Sequence, residues 1–505
     1  MKYFLKIFHI STCLFLGISL KITPCLSEDL LDINLQEEIK NGKFLIGLKQ
    51  YLGANKKNED FLHFKTENNF LTVKSSNGLR HESKEIKIIL KRIPLKKPLI
   101  IERLISKSFA SYESAKRESQ ILEGKGYNPV ITMPNKWVLW LPLKDQELIN
   151  NGFQVQKKII KQRIVPYLTN QYTYQKLDGN ISINSKEDIQ INGINYGKNF
   201  YLIKDSYGSW TLIQKISFDK YLSGVLPHEI GANSPIESLK AQAVIARTWA
   251  IFNSNRFKSD NFHLCITTQC QVYKPTLLNQ NIKQAIKDTE NEVLVYEDQP
   301  INAFYHASNG GISANASESW KIKDYPYLSS KKDLTPFLNN NNNKVHSIKT
   351  RKELLTFLQK NNNDFFGKDH YLFRWKKNIT SKQINDLLIK NKLSNKGLKI
   401  SNIKVVERGL SGRVTKILIR MNSQKLIILE KDDIRKSLNF LPSNLFIIDK
   451  LNDNLWVFNG GGFGHGVGLS QAGAIEMAKT GITYQKILSH YYKGAKIFKF
   501  LDLIQ

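Results

Sequence analysis

One carboxylate in this chain lies where an acid-base catalyst could work. The stretch Tyr221–Trp249, YLSGVLPHEIGANSPIESLKAQAVIARTW, carries Glu229 between Pro227 and Gly231, just ahead of an alanine-rich segment. Ser234, Pro235, Ile236 and Glu237 read as a Ser-x-x-Glu capping box with Pro235 at the first helical position, so Glu237 has a structural use at the Ser234 backbone. Leu239, Ala243, Ala246 and Ala250 then recur at helical spacing, which predicts a helix packed closely against its neighbours. Glu229 has no such use. It follows the apolar, strand-like run Tyr221–Leu226 and is expected in a short loop, where burial would raise its pKa and suit it to donate a proton.

Two further segments could face the same site. Gly460–Gly473, GGGFGHGVGLSQAG, holds six glycines between Gly460 and Gly468, which let backbone approach a ligand while His465, Ser470 and Gln471 stay available. No G-x-G-x-x-G can be threaded through it and no Gly-Lys-Ser/Thr follows, which excludes a dinucleotide or phosphate cradle. His465 reads either as a substrate contact or as a hydrogen bond that shapes the loop. In AFYHASNGGISANASESW, Ala303–Trp320, a strand through Tyr305 ends in Ser308, Asn309, Gly310 and Gly311, which make either a set of compact hydrogen-bonding groups or a plain turn. Ser308 stands in no G-x-S-x-G elbow, so serine hydrolase chemistry is not supported.

At 505 residues with a formal charge of +30, the chain is long enough for two or three domains and carries a basic surface suited to anionic partners. Its start reads as an export signal: Lys2 and Lys6, an apolar run Ile7–Leu20, and a small-residue cleavage site at about Ser27. The run is shorter than the roughly 20 residues of a comfortable membrane span. The mature protein is therefore expected beyond the inner membrane, in the periplasm or cell wall, and peripheral to a membrane at most. Cys13 and Cys25 leave with the signal. Cys265 and Cys270, in FHLCITTQCQVY, then favour a local disulfide; a zinc site using His263, Cys265 and Cys270 is the alternative, and two buried thiols a third.

Along residues 28–155 the pattern is of strands at Phe44–Leu48, Phe70–Val73 and Ile86–Leu90. A strand at Ile100–Ile105, a helix Tyr112–Glu123 stopped by Gly124 and Gly126, and strands near Val130 and at Val138–Leu141 follow. This strand-helix-strand order with FASYESAKRESQILEGKGYNP is similar to a SPOR-type glycan-binding repeat, or is an ordinary α/β packing module. Short strands broken by Asn-Gly and Tyr-Gly turns then predict a β-meander before Tyr221. Helices are expected at Asn281–Thr289, Gln471–Thr480 and Tyr484–His490. The segment at about 331–396, with its Asn339–Asn343 and Asn361–Asn363 runs, reads as polar linker around helices Arg351–Gln359 and Ser381–Lys390.

LSGVLPHEIGANSPIESLKAQAVIARTW, CITTQCQVY, YHASNGG and GGGFGHGVGLSQAGA, in that order, closely resemble the SpoIID/LytB family of stage II sporulation protein D and amidase enhancers, over roughly residues 200–497. The resemblance implies an α+β domain, here about 156–505 with an Asn-rich insertion, that in active members is a lytic transglycosylase, with its catalytic Glu at Glu229. Zinc binding by some members is in doubt here, because Gln269 stands where a His ligand might be expected. No cofactor is required for cleavage of the MurNAc–GlcNAc link: the sugar's C6 hydroxyl attacks the anomeric carbon and closes a 1,6-anhydro ring. Tyr305, Ser308, Asn309, Gly310, His465, Ser470 and Gln471 are the candidates for holding the glycan strand. The rival reading is a wall-binding regulator that enhances an N-acetylmuramoyl-L-alanine amidase. Nucleic-acid binding rests on charge alone and has no motif.

Overall fold

Ser217 ends a strand and starts a helix: its hydroxyl accepts from the Lys220 amide at 3.3 Å, and Phe218, Tyr221, Leu222 and Val225 then fall on one buried helical face. In the computed structural model, which describes residues 34–54, 60–169, 173–276, 278–335, 347–360 and 362–503, the run Tyr221–Leu226 is therefore helical and not a strand. The export signal at 1–27 and the Asn339–Asn343 run lie outside the described residues. The chain is α+β, with several sheets and interspersed helices.

Four helices matter for the site: α1 Leu35–Lys40, α2 Tyr112–Glu123, α3 Phe218–Leu226 and α4 Ile236–Phe252. Helix α4 is buried along most of its length. Leu239, Ala241, Ala243, Val244, Ile245, Ala246 and Ala250 have no solvent exposure, and helices α3, Gln280–Asp288, Gln471–Lys479 and Tyr484–Tyr491 together with the strand Glu292–Tyr296 enclose it. Its small side chains are what permit so many neighbours.

A seven-stranded sheet lies against this core in the order Leu264–Cys265, Lys43–Leu52, Trp210–Ser217, Asn199–Lys204, Ile181–Asn184, Leu71–Ser75, Arg80–Ser83. The expected division near residue 155 does not divide this sheet: strand Lys43–Leu52 pairs with Trp210–Ser217 on one side and Leu264–Cys265 on the other. A second sheet contains the expected module. Glu85–Ile105, α2, Val130–Thr132, Val138–Leu141, a 3₁₀ turn Gln146–Asn151 and Gln154–Thr169 follow as strand-helix-strand-strand-turn-strand. Their strands stand with the fourth beside the first, then the third, then the second, all antiparallel, which is a ferredoxin-like arrangement.

The segment expected as polar linker is largely folded. Helices Arg351–Leu358 and Ser381–Lys390 appear near their expected bounds. Between them Arg374–Thr380 pairs with Leu455–Gly461, and Trp375, Ile384 and Leu388 join Ile417, Ile419, Trp456 and Phe458 in a second hydrophobic core. Buried Arg413, next to Val414 of this core, donates to the Asn309 and Ile312 carbonyls at 2.9 and 3.0 Å. No described helix is long and apolar enough to cross a membrane.

Candidate active site

Glu229 lies in a single π-helical turn, Pro227–Gly231, that continues α3, so the expected loop is a wide helical turn; such turns recur at functional sites. The expected capping box does not form. Helix α4 begins at Ile236 with Pro235 extended ahead of it (φ −54°, ψ 145°), and Ser234 turns back to donate to the Ile230 carbonyl at 2.7 Å. Glu237 does have a structural partner, but a tertiary one: it accepts from the Tyr484 amide at 2.8 Å and pairs with Lys240 at 3.1 Å.

The half-buried carboxyl of Glu229 accepts from the Val272 amide at 2.7 Å and from the Tyr305 hydroxyl. Burial raises its pKa, and these two donors oppose the rise without cancelling it; no second carboxylate is among the groups acting on it. Tyr305 is held in turn. Gln271 donates to its hydroxyl at 3.1 Å and to the Ala246 carbonyl at 3.3 Å, and accepts from Tyr221 at 2.9 Å. Burial, and then the charge of Glu229, lift the phenols of Tyr305 and Tyr221 well above their usual pKa, so both stay protonated as donors. The neighbouring His228 is exposed and 3.1 Å from the Thr276 hydroxyl.

Close approach of the Gln271–Lys274 segment to α3 depends on Gly224. A side chain there would run into the Tyr273 ring and come within 3.0 Å of the Lys274 carbonyl, whose amide donates back to Gly224 at 3.1 Å. Gln271, Val272 and Tyr221 were not among the residues expected at the site. CQVY was visible as a motif, but nothing in its types shows that a backbone amide would face the acid.

Cys265 and Cys270 form a disulfide, the favoured reading, with Cα atoms 5.7 Å apart. The zinc alternative is corrected at His263: its Nδ1 accepts from the Leu45 amide at 2.9 Å and its Nε2 lies 2.9 Å from the Leu35 carbonyl, so neither nitrogen is left for a metal. Burial holds it neutral, its pKa pushed down to about 4. Among the described residues no group of three or more His, Cys, Asp or Glu side chains is arranged to hold a metal ion.

Of the residues expected to hold glycan, only Tyr305 meets Glu229 directly. The strand Tyr305–His306 pairs with Leu469–Ser470 and so joins the two motif loops, but the remaining candidates are spent inside the protein. Asn309 donates to buried Asp333 at 2.7 Å, and the Ser308 and Phe463 backbones bond each other. A side chain on Gly310 would meet the Gly461–Gly462 backbone at 2.7 Å. Ser470 caps the last motif helix at the Gly473 amide, 3.3 Å, and Gln471 donates to Gln242, 3.3 Å. These five residues are buried, which corrects the expectation that they face a sugar.

His465 follows the loop-shaping alternative. Its Nδ1 accepts from the Val467 amide at 3.1 Å, the ring donates to the Tyr305 carbonyl, and Trp320 lies 4.7 Å away between ring centroids. Burial and nearby Arg435 push its pKa down to about 3. The glycines around it admit protein, not ligand: side chains at Gly464 and Gly466 would collide with His306 and with the Arg413 guanidinium.

A family model described as Stage II sporulation protein matches residues 206–296, the stretch holding Glu229 and Val272, and one described as a domain of unknown function matches 314–468. An uncharacterized protein of Brachyspira hyodysenteriae is 30% identical over 63% of this chain and 76% of its own length. Stage II sporulation protein D of Bacillus subtilis is 28% identical over 56% of this chain and 75% of its own length. The amidase enhancer of the same organism is 28% identical over 55% of this chain, which spans 40% of that longer protein. With the four motif blocks in order and the site they build, the chain belongs to the SpoIID/LytB family.

Proposed function

We propose that this chain is an exported, peptidoglycan-active protein that cleaves the MurNAc–GlcNAc link as a lytic transglycosylase. The observation that carries the reading is Glu229: a single sheltered carboxyl with a raised pKa, gripped by two donors that stabilise its ionised form. Protonated Glu229 gives its proton to the departing glycosidic oxygen. The carboxylate, held by Val272 and Tyr305, then takes the C6 hydroxyl proton as that oxygen bonds the anomeric carbon, so the proton count closes and no water is activated. A hydrolase would use a second carboxylate at about 5–9.5 Å. The ferredoxin-like module supports a SPOR-like, glycan-binding role for the segment around α2.

Glu229→Gln is expected to abolish release of anhydro-muropeptides from purified peptidoglycan, a loss of at least about 100-fold, while leaving thermal unfolding unchanged. Retained product would remove Glu229 from the role. The amidase enhancer relative favours a second reading, a wall-bound regulator of an amidase partner. Stimulation of a purified amidase by the Glu229→Gln protein, with no anhydro-sugar from the unaltered protein, would select it.

A further inference from the structure

A cavity of about 290 Å³ opens between α2 and the helical core, and neither Glu229, Tyr305 nor Gln271 lines it. Helix α2 contributes Lys116, Arg117 and Gln120 from one face; the end of α4 and the loop after Trp320 contribute Phe252, Lys323 and Tyr325. Its carboxylates are already committed. Glu113 pairs with Arg256 at 2.6 Å, and Asp324 accepts from the Ser317 amide and hydroxyl at 2.8 and 2.9 Å. Lys116, Arg117 and Lys323 have no ion-pair partner among the described residues, and neither has the Gln120 amide a hydrogen-bond partner. Lys116 is the telling one: its ammonium is drawn in to 5.2 Å from the Phe252 ring centroid, and burial lowers its pKa. Glu113 and Glu123 act on it through space without outweighing burial and the nearby Arg256 charge, so an added anion would stabilise the ammonium.

We propose that this cavity binds a saccharide bearing a negative charge, at a site separate from Glu229. The apolar ring surface of Phe252 and Tyr325 that lines the cavity suits the C–H groups of a pyranose, Gln120 suits a hydroxyl, and the three cations suit a carboxylate or phosphate on the ring. The site is a junction as well. Glu113–Arg256 and the Ser111 and Ser114 hydroxyls on Asp432, at 2.5 and 2.8 Å, fix α2 against the rest of the chain, so the cavity walls are set before a ligand arrives.

The proposal leans on the peptidoglycan reading only for the ligand's source. It is tested by calorimetric titration of the Glu229→Gln chain, so that nothing is cleaved, with three probes: a muramic acid-containing tetrasaccharide with free lactyl carboxylates, the same sugar with those carboxylates reduced to alcohols, and a hexose phosphate. Binding of either anionic probe is expected. It should weaken at least about tenfold on Arg117→Glu with Lys323→Glu, and equally on Gln120→Trp, which fills the cavity from its exposed rim, with unfolding midpoints unchanged. Which anionic probe binds identifies the source of the charge. Equal binding of the reduced sugar, binding of neither anion, or insensitivity to these substitutions overturns the proposal. Anhydro-product release by Arg117→Glu from short soluble fragments tests the Glu229 reading independently.

Discussion

In the proposed reaction Glu229 gives a proton and then takes one back, and its two kinds of neighbour would serve those two moments. Burial favours the protonated acid; the Val272 amide and Tyr305 hydroxyl favour the carboxylate. Removing one donor therefore raises the pKa further. For Tyr305→Phe the sign is fixed: the acid stays protonated to higher pH, so the basic limb of the kcat/KM profile for anhydro-product release moves upward, while the rate at the optimum falls because the returning proton meets a less stabilised carboxylate. A basic limb that stays in place or moves down removes Tyr305 from this role. Sequence could single out Glu229 by showing that Glu237 had a structural partner, yet it named the wrong one. A capping box is local and readable, whereas the Tyr484 amide that Glu237 accepts from is 247 residues away.

The element that holds the acid is the short segment after the disulfide. Cys270 is followed at once by Gln271 and Val272, so the covalent tie to Cys265 limits how far the amide facing Glu229 can drift. Replacing both cysteines with alanine is expected to cost about 2 kcal/mol of stability, in keeping with a very short loop. The larger effect should fall on kcat, with KM little changed, and reductant should reproduce it in the unaltered protein. A double variant with full kcat would show that the segment holds its place without the bond. Pairing of the two cysteines was legible from their spacing and the expected export, but the orientation of the following amide was not. The same limit explains α3: the short run Tyr221–Leu226, apolar at four of its six positions, fits a strand or a buried helix, and the helix is visible only when Phe218, Tyr221, Leu222 and Val225 are read together.

At the scale of the molecule, local pattern and global division part company. Helix α2 and strands Val130–Thr132 and Val138–Leu141 stand close to their expected bounds, since each carries its own local pattern, whereas the expected Ile86–Leu90 and Ile100–Ile105 are one strand, Glu85–Ile105, and its partner Gln154–Thr169 was not expected. The division at residue 155 does not divide the sheets, because partners in a sheet leave little trace in local sequence. Strand Lys43–Leu52 is internal to the seven-stranded sheet, and Leu71–Ser75 stands between Arg80–Ser83 and Ile181–Asn184. Phe44 and Ile46, fully buried, belong to the same core as α4. A fragment starting at residue 156 would thus expose the backbone edge of Trp210–Ser217 and lose the ceiling over Tyr221, whose ring lies 5.1 Å from that of Phe44. It is expected to be insoluble or to melt without a cooperative transition, and supplying residues 28–155 as a separate chain should not restore anhydro-product release at micromolar concentration, since long-range strand pairing between chains must overcome the entropy that one chain does not lose. A soluble fragment with a sharp calorimetric transition would mean that the sheet tolerates loss of an internal strand and that residues 28–155 form a separable module after all.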